Sequence, residues 1–328
     1  MSDKKWLVQG RAPGVRTGTI AVRRVLVTGA NKGIGLAIVK KLLSTDPEVH
    51  VLLGARSLAK GEDAVAQLLT VSPQWKARVG VLVLDTGRDG SVADARARVE
   101  KAHGSTPPPL HGIVNNAGIA IGSVRDVLEV NCYGPRRVDE AFMPLLARGG
   151  RIVYISSGAG PSFVAKVSDE HKAFFTNPNV SWAQLAGLME ELIREPNFEA
   201  KGLGPGQGLM GGAYGFSKAI INAYCIAVAR EHPEFTVNAC SPGLVNTDLI
   251  MGVLGSGRFL CVAPLARCVF GQLASKVMGA KSPDEATVAP LFLLLGTPPG
   301  SGWFYGSDAR RSPLDAYRAP GTPAYKPT

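Results

Sequence analysis

The 328-residue chain has few of the residues that mark disulfide-rich or metal-binding domains. It contains five cysteines, none of them in a C-x-x-C pair, and its five histidines show no metal-ligand spacing. No stretch approaches 18 consecutive apolar residues, and no secretory signal pattern follows the first residue. We therefore expect no disulfide framework, no metal site and no membrane span, and we expect a cytoplasmic protein.

The net charge is also small outside the two ends of the chain. Residues 1–24 carry a net charge of +5 and residues 308–328 carry +2, whereas the long middle part, 25–307, carries only +3. The basic stripe that nucleic-acid binding requires is missing from that middle part. The sequence thus predicts no nucleic-acid partner, and a basic-tailed protein of nucleic acid or membrane surfaces is the least favoured of three interpretations.

Short runs of Val, Ile and Leu alternate with longer segments of helical periodicity. The runs predict strands at residues 24–28, 50–54, 79–84, 110–115, 151–156 and 235–240, and the segments predict helices at 35–43, 58–69, 91–101, 127–146, 214–230 and 284–295. Buried parallel strands joined by helical crossovers wind into one open sheet. We predict an α/β fold over residues 23–307: a single doubly wound Rossmann-type domain with a mostly seven-stranded parallel sheet and helices on both faces. A basic extension (1–22) precedes it and a tail (308–328) follows.

Two insertions interrupt this alternation. The first, residues 158–213, contains Ser181-Trp182-Ala183-Gln184, a capping box followed by apolar residues at helical spacing. It predicts an amphipathic helix that packs on the helix at 214–230. The second, residues 249–281, is rich in Leu, Val and Phe, and we expect a flap that closes over a substrate and excludes water. A peripheral core-packing helix and a membrane-surface patch are its alternatives.

A glycine-rich loop follows the first predicted strand and opens directly into a helical pattern. Glycine permits the tight turn and the close backbone approach by which the amides of a helix N-terminus hold a pyrophosphate. The position between a strand and a helix favours a dinucleotide site over an ordinary glycine-rich turn. The residues expected to contact the cofactor are Gly29, Asn31, Lys32, Gly33, Ile34 and Gly35.

The end of the second strand indicates which dinucleotide binds. Its sequence, Gly54-Ala55-Arg56-Ser57, offers no carboxylate for the ribose hydroxyls that NAD presents there. Arg56 can instead form charge-assisted bonds to a 2′-phosphate, and Lys32 can add a second cation. The pair favours NADP over NAD. The alternative is that both side chains are ordinary surface charges that bind no ligand. Asp85 lies at the end of the third strand, where its carboxylate can either accept a hydrogen bond from the adenine amino group or form a turn. We assign Asp85 and the next residue, Thr86, to the cofactor site.

A tyrosine and a lysine lie four residues apart in Tyr214-Gly215-Phe216-Ser217-Lys218, which brings them to one helical face. A ketone reductase needs a proton donor near neutral pH, and an ordinary tyrosine with a pKa of about 10 is a poor one. A lysine ammonium about 4 Å away is enough in principle to bring that pKa toward neutrality. The spacing alone occurs by chance in many helices, so the order of the other motifs decides its meaning.

Polar motifs recur at the ends of successive predicted strands, where ligands bind in open α/β sheets. They are Asn115-Asn116-Ala117-Gly118 after strand four, Asn131 in the next helix, Ser156-Ser157 after strand five and Ser241-Pro242-Gly243 after strand six. With the glycine loop and the tyrosine–lysine pair, this order resembles the short-chain dehydrogenase/reductase family over about residues 23–248 and the last helix and strand. The loop residues Asn31-Lys32, Gly54-Ala55-Arg56 and the long first insertion are similar to its carbonyl-reductase branch.

The resemblance implies a role for each polar residue. Tyr214 becomes the proton donor, and Lys218 becomes its electrostatic partner and the ribose anchor. Ser157 donates a hydrogen bond to the carbonyl oxygen, and Asn131 holds a proton-relay water. Ser156 is the alternative to Ser157, and strand alternation, which directs neighbouring side chains to opposite faces, favours Ser157. The further cofactor contacts implied are Asn115, Ala117, Gly118, Pro242, Gly243, Val245 and Thr247.

These features predict an NADPH-dependent reductase of ketones or aldehydes, with Tyr214 as the general acid. An NADP-binding regulator without turnover is an alternative that the intact polar set disfavours. A retinol-dehydrogenase-like oxidoreductase of a lipophilic alcohol is another, because the segment 249–281 is longer and more apolar than in the carbonyl-reductase branch. In that branch the insertion covers the surface that other members use to dimerise. The resemblance therefore implies a monomer that acts on a small, hydrophobic carbonyl compound.

Overall fold

The computed structural model of the chain describes residues 22–204, 212–246 and 280–327. Within these residues, eight strands form one sheet in the order β3-β2-β1-β4-β5-β6-β7-β8. The strands are β1 (Arg23–Val27), β2 (Val49–Ala55), β3 (Val79–Val83), β4 (Leu110–Asn115), β5 (Leu146–Ile155), β6 (Thr236–Cys240), β7 (Trp303–Tyr305) and β8 (Arg311–Ser312). Strands β1 to β7 pair in parallel, and β8 pairs antiparallel with β7. The predicted doubly wound α/β fold is confirmed, with one short antiparallel edge strand added.

Helices connect the strands and cover both faces of the sheet. They are α1 (Gly33–Thr45), α2 (Leu58–Val71), α3 (Asp89–His103), α4 (Val124–Leu128), α5 (Gly134–Phe142), α6 (Ala159–Val164), α7 (Asp169–Thr176), α8 (Trp182–Arg194), α9 (Gly212–Glu231) and α10 (Val288–Leu295). Short 3₁₀ turns lie at Pro73–Arg78, Met143–Leu145 and Glu285–Thr287. In the described part of the chain, no helix has both the length and the apolar character needed to cross a bilayer.

The sheet is buried on both faces because its strands alternate their side chains between two apolar layers. In β1, Val25 and Val27 lie in the layer formed with α1, α2 and α10, whereas Leu26 lies in the layer formed with α3, α5 and α9. All three side chains are fully buried. The period of two along a strand produces this alternation. Burial on both faces explains why the strands are continuous runs of Val, Leu and Ile.

The first insertion contains α8, whose start is fixed by a capping box. Ser181 Oγ accepts from the backbone N–H of Gln184 at 3.3 Å, and Gln184 Oε1 accepts from the backbone N–H of Ser181 at 3.0 Å. On the inner side, Leu185 is fully buried. The ring of Trp182 lies 5.1 Å from the ring of Tyr224 in α9. The helix predicted from the capping box, and its packing on α9, are confirmed.

The strand order reverses beside β1, since β2 and β3 lie on one side of it and β4 to β8 on the other. Ligand crevices in open α/β sheets form at the carboxyl ends of the strands at such a point. Asn246, which precedes the predicted flap, donates its backbone N–H to the carbonyl oxygen of Lys281, the last residue of that segment, at 2.9 Å. Residues 249–279 of the flap and 1–21 of the basic extension lie outside the described residues.

Candidate active site

The loop between β1 and α1 lies against the end of β4 at van der Waals distance. Gly29 has a φ of +60°, and a Cβ there would lie 2.9 Å from Ala117 Cα. A Cβ on Gly35 would lie 2.7 Å from the carbonyl oxygen of Gly29, and Gly33 has a φ of +58°. Side chains at these positions would be strained or would collide with backbone. These three glycines form what we call the glycine cradle.

Two residues that the sequence reasoning did not assign fasten the cradle. Thr28 Oγ1 accepts from the backbone N–H groups of Asn116 and Ala117, each at 3.0 Å. The Asn116 side-chain amide donates to the carbonyl oxygens of Thr28 at 2.8 Å and Gly29 at 3.1 Å. Each residue directly follows a strand, Thr28 after β1 and Asn116 after β4, and the predicted topology makes these two strands neighbours. Their polar character at those two ends was the signal that could have identified them.

The first turn of α1 presents backbone N–H groups that no described side chain caps, and it contains no carboxylate. The starts of α2 and α3 also lack a side-chain cap, whereas a serine side chain caps the start of α4, of α7 and of α8. An uncapped helix N-terminus attracts anions through its free amides and its dipole. Asn31 and Ile34 are half-buried at this end, and Lys32 is exposed. The cradle and the uncapped turn together fit a pyrophosphate.

The ends of β2 and β3 carry the residues predicted to select NADP. Arg56 is exposed between β2 and α2, and it forms no ion pair with any described carboxylate. The carboxylate of Asp85 accepts from the backbone N–H of Gly87 at 3.1 Å, so it closes a turn at the end of β3. Thr86 is buried under Gly134, where a Cβ would lie 3.0 Å from Thr86 Oγ1. The Arg56 side chain is thus available to a phosphate, whereas the Asp85 carboxylate already stabilises the turn that follows β3.

Asn115 ends β4, but its side chain enters the core rather than the crevice. Its amide donates to one carboxylate oxygen of Asp139 at 2.8 Å, and the Tyr154 hydroxyl donates to the other at 2.5 Å. Burial raises the pKa of Asp139 to about 6, although these hydrogen bonds oppose the rise. The Asn115 carboxamide therefore belongs to a buried network beneath α5. The backbone of Gly118, further along the loop, lies near the side chains of Asn131 and Lys218.

Asn131 lies in a π-helical turn, Glu129–Tyr133, between α4 and α5. Such turns widen a helix locally and are frequent at functional sites. Asn131 is buried, and its carboxamide accepts from Ile119 N at 2.9 Å and donates to Ile119 O at 2.8 Å. It also donates to Ser217 Oγ at 3.0 Å, and Ser217 donates to the carbonyl oxygen of Tyr214 at 2.8 Å. Asn131 therefore connects the loop after β4 to the first turn of α9.

Tyr214, Ser157 and Lys218 meet at the start of α9. The Ser157 side chain lies beside the Tyr214 hydroxyl, close enough to act on its pKa, and Lys218 Nζ lies 5.6 Å from the centre of the Tyr214 ring. The buried Lys218 donates to the carbonyl oxygen of Ile155 at 3.0 Å. The Ser156 hydroxyl instead donates to the carbonyl oxygen of Lys218 at 3.3 Å. Of the two serines, Ser157 is the one whose hydroxyl meets the tyrosine.

Burial moves the two pKa values in opposite directions. It raises the pKa of Tyr214 above its ordinary value, and the neighbouring Ser157 side chain opposes that rise. It lowers the pKa of Lys218 from 10.5 to about 8. The lowering of the tyrosine pKa expected from the spacing is therefore not observed in the protein by itself, because loss of solvation is the largest effect on the Tyr214 hydroxyl. At pH 7 the Tyr214 hydroxyl keeps its proton, as a general acid must.

The loop after β6 is joined to the loop after β5 through Ser241. Its Oγ accepts from the backbone N–H groups of Gly158 and Gly243, each at 3.1 Å. Gly243 has a φ of +89°, which glycine adopts without strain. Pro242 and Val245 are buried in the same loop. These residues lie at the edge of the sheet that carries Ser157, whereas Thr247 lies outside the described residues.

Comparison with known proteins identifies relatives over most of the chain. Residues 23–168 match the short chain dehydrogenase family. Carbonyl reductase [NADPH] 1 of Homo sapiens is 30% identical over 298 residues, which cover 84% of this chain and 92% of that protein. Carbonyl reductase [NADPH] 3 of Rattus norvegicus is 31% identical over 247 residues, which cover 69% of this chain and 83% of that protein.

Solved structures of reductases share the fold. The menthone neomenthol reductase from Mentha piperita superposes with a TM-score of 0.67 at 24% identity, covering 87% of this chain and 98% of that one. The NADPH-bound carbonyl reductase from chicken fatty liver has a TM-score of 0.58 at 22% identity, with coverages of 89% and 98%. The resemblance noted in the sequence is confirmed, and the chain belongs to the short-chain dehydrogenase/reductase family.

Proposed function

We propose that this protein reduces a ketone or an aldehyde to an alcohol with NADPH. The observation that carries the proposal is the meeting of the Ser157 and Tyr214 hydroxyls beside the buried Lys218, on the edge of the sheet that also carries the glycine cradle. Two hydrogen-bond donors and a cation at one point suit a reaction that builds negative charge on a carbonyl oxygen. Relatives named carbonyl reductase [NADPH] support the same reaction.

The cofactor-binding part of the proposal assigns one task to each group of residues. The glycine cradle and the amides of α1 hold the pyrophosphate. Arg56 and Lys32 bind the 2′-phosphate, and Ser57, whose hydroxyl does not cap α2, adds a neutral donor. An ammonium has three N–H donors, so Lys218 can bind ribose hydroxyls while it keeps its bond to Ile155. Bound NADPH supplies the hydride. The other proposed contacts are Asn31, Ile34, Asp85, Thr86, Ala117, Gly118, Pro242, Gly243 and Val245.

The chain's own residues stabilise the oxygen and supply the proton. As negative charge grows on the carbonyl oxygen, the hydroxyls of Tyr214 and Ser157 donate to it, and these bonds strengthen toward the transition state. Tyr214 then transfers its proton to that oxygen. The Lys218 ammonium stabilises the tyrosinate that remains. Because the carbonyl of Ile155 fixes the lysine, little reorganisation accompanies the step.

A route for restoring the tyrosine proton begins at Asn131. Its carboxamide already fixes both backbone groups of Ile119 and the Ser217 hydroxyl. An amide oxygen has two lone pairs, so Oδ1 can accept from a water as well as from Ile119. We propose that this water passes a proton toward Lys218 and Tyr214 from solvent.

The association state follows from the surface of α9. Residues of α8 bury the α9 face around Tyr224, where the Trp182 ring packs at 5.1 Å, and Arg136 lies 5.4 Å from the centre of the same indole. A face that is already covered is not available to a second copy. We propose that the protein is a monomer.

The experiment that tests the function measures oxidation of NADPH, with NADH in parallel, on purified protein supplied with a panel of aliphatic and aromatic ketones and aldehydes. The proposal predicts carbonyl-dependent oxidation of NADPH and a lower kcat/KM with NADH. Tight binding of NADPH without turnover of any carbonyl would favour the cofactor-binding regulator instead. A panel of lipophilic alcohols with NADP tests the reverse reaction and the alternative of alcohol oxidation.

A further inference from the structure

The segment after β8 is an ordered part of the fold rather than a loose end. The Arg318 side chain is 7% exposed, forms an ion pair with Asp308 and donates to Ser312 Oγ at 2.9 Å. Upstream, Leu314 packs against the apolar layer formed with α9. These contacts fix the chain on both sides of Tyr317.

Tyr317 lies directly against Gly158, the residue that follows Ser157. A Cβ built on Gly158 would lie 2.8 Å from Tyr317 Cε2 and 3.1 Å from Cδ2. The backbone of Gly158 has φ −60° and ψ −15°, which every residue type adopts readily. The constraint at this position is therefore space and not conformation. The tyrosine ring fills the volume that a side chain at 158 would occupy.

The Tyr317 side chain remains largely solvent-accessible although its surroundings are fixed. It is 57% exposed, among the highest values of the large apolar or aromatic side chains described. One edge of its ring touches Gly158, one residue from the Ser157 hydroxyl that meets Tyr214. A molecule whose carbonyl oxygen reaches those two hydroxyls would have its substituents near this ring. Aromatic rings attract one another in stacked or edge-to-face arrangements beyond simple burial of area.

We propose that Tyr317 forms one wall of the carbonyl-substrate site and favours substrates that carry an aromatic ring next to the carbonyl carbon. The inference rests on the proposed function, because the Ser157 and Tyr214 hydroxyls define where the carbonyl oxygen lies. It gives the C-terminal segment a role in selecting the substrate. Gly158 is part of the same arrangement, since it makes room for the ring.

The test compares two methyl ketones of similar size, one with a phenyl ring and one with a cyclohexyl ring. In Tyr317→Ala we expect kcat/KM for the phenyl ketone to fall about 3- to 10-fold more than for the cyclohexyl ketone, the size of one aromatic contact. Tyr317→Phe keeps the ring, so its ratio of kcat/KM for the phenyl ketone to kcat/KM for the cyclohexyl ketone should stay within about twofold of the wild-type ratio. Tyr325→Ala is the matched control, because it removes a tail tyrosine that contacts Arg311 instead of Gly158.

A second pair of variants tests the contact itself. Gly158→Ala should shift the substrate ratio in the same direction as Tyr317→Ala, because the added methyl displaces the ring. In the Tyr317→Ala background the same change should leave the ratio where it is. An unchanged phenyl-to-cyclohexyl ratio in Tyr317→Ala, or a ratio that Gly158→Ala shifts equally in both backgrounds, would overturn the proposal.

The outcomes separate this inference from the proposed function. If wild-type protein reduces both ketones and the ratio is unchanged in Tyr317→Ala, the proposed function stands, and the assignment of Tyr317 to the substrate site is wrong. If wild-type protein reduces no carbonyl, the function fails, and calorimetric binding of the phenyl ketone to NADPH-loaded protein decides the inference. Weaker binding to Tyr317→Ala than to Tyr325→Ala supports it, and equal or absent binding contradicts it.

Discussion

The side-chain amide of Asn131 lies 3.0 Å from the hydroxyl oxygen of Ser217 and joins the π-helical turn to a helix 86 residues further along the chain. The Ser217 hydroxyl in turn donates a hydrogen bond to the backbone carbonyl oxygen of Tyr214. The start of α9, which carries Tyr214 and Lys218, is therefore fixed by a buried polar contact. Buried hydrogen bonds of this kind keep a unique geometry because leaving either partner unpaired is costly.

Replacing Asn131 by Ala should destabilise the fold as well as slow the reaction. Both backbone groups of Ile119 lose a hydrogen-bond partner, and the Ser217 hydroxyl loses its donor, so we expect the free energy of unfolding to fall by about 1–3 kcal/mol. Denaturant unfolding measures this loss. The control is Asn197→Ala, an exposed asparagine with one turn contact, which should change stability by no more than about 0.5 kcal/mol. Equal stability of the two variants would show that the Asn131 contacts are weak.

Lys218 should limit the reaction at alkaline pH. Its pKa is lowered by burial to about 8, so it loses its positive charge as the pH rises through that value, well before an ordinary lysine would. Since the charge stabilises the tyrosinate, kcat/KM for the carbonyl compound should fall above pH 8 with saturating NADPH. Lys218→Met should have a lower rate, weaker cofactor binding and no alkaline fall near pH 8. A wild-type profile that stays flat to high pH would contradict this role.

The preference for NADPH should depend on Arg56. Arg56→Asp removes a cation and adds a carboxylate that repels the 2′-phosphate and accepts from ribose hydroxyls, so the ratio of kcat/KM for NADPH to that for NADH should invert. Loss of a charge-assisted bond predicts at least about a tenfold fall with NADPH. Lys101→Asp makes the same change of charge in the last turn of α3, at the opposite edge of the sheet, and should leave the ratio unchanged. If both variants respond alike, the effect is long-range and not a contact.

Light scattering of the purified protein at micromolar concentration tests the monomer. A mass near 34.5 kDa is expected, because α8 already covers the α9 face around Tyr224. Twice that mass would show that a different surface pairs or that α8 does not block association.

Periodicity and local motifs were enough to predict β1 to β6, the order of the main helices and the glycine cradle, whereas the short strands β7 and β8 were not located. The run Val25, Leu26 and Val27 consists only of apolar residues, which indicates a strand that is buried on both faces. Gly29 and Gly35 follow that strand and lie where a helical pattern begins. The start of α8 was equally visible, because a capping box is a local pattern. Information that is local in the chain is readable from the sequence.

Other features depend on contacts between distant segments and could not be predicted. The side chain of Asn115 bonds to Asp139 of α5, which lies 24 residues further along the chain. The pKa of Tyr214 rises because its hydroxyl loses solvation in the folded protein, which the spacing to Lys218 does not reveal. The contact of Tyr317 with Gly158 requires the C-terminal segment to return across the sheet edge. In each case the sequence does not show which residue from a distant part of the chain makes the contact.

The measurement that tests the central claim most directly is the activity of Tyr214→Phe alongside its affinity for NADPH. Phenylalanine keeps the ring and removes the proton donor, so the account predicts a fall in kcat of about 10²- to 10⁴-fold, the usual contribution of a general acid. NADPH affinity, measured by calorimetry, should stay within about twofold, because the glycine cradle and Arg56 are unchanged. The matched variant Tyr325→Phe should keep wild-type turnover. Carbonyl reduction at the wild-type rate by Tyr214→Phe would contradict the assignment of this tyrosine as the acid.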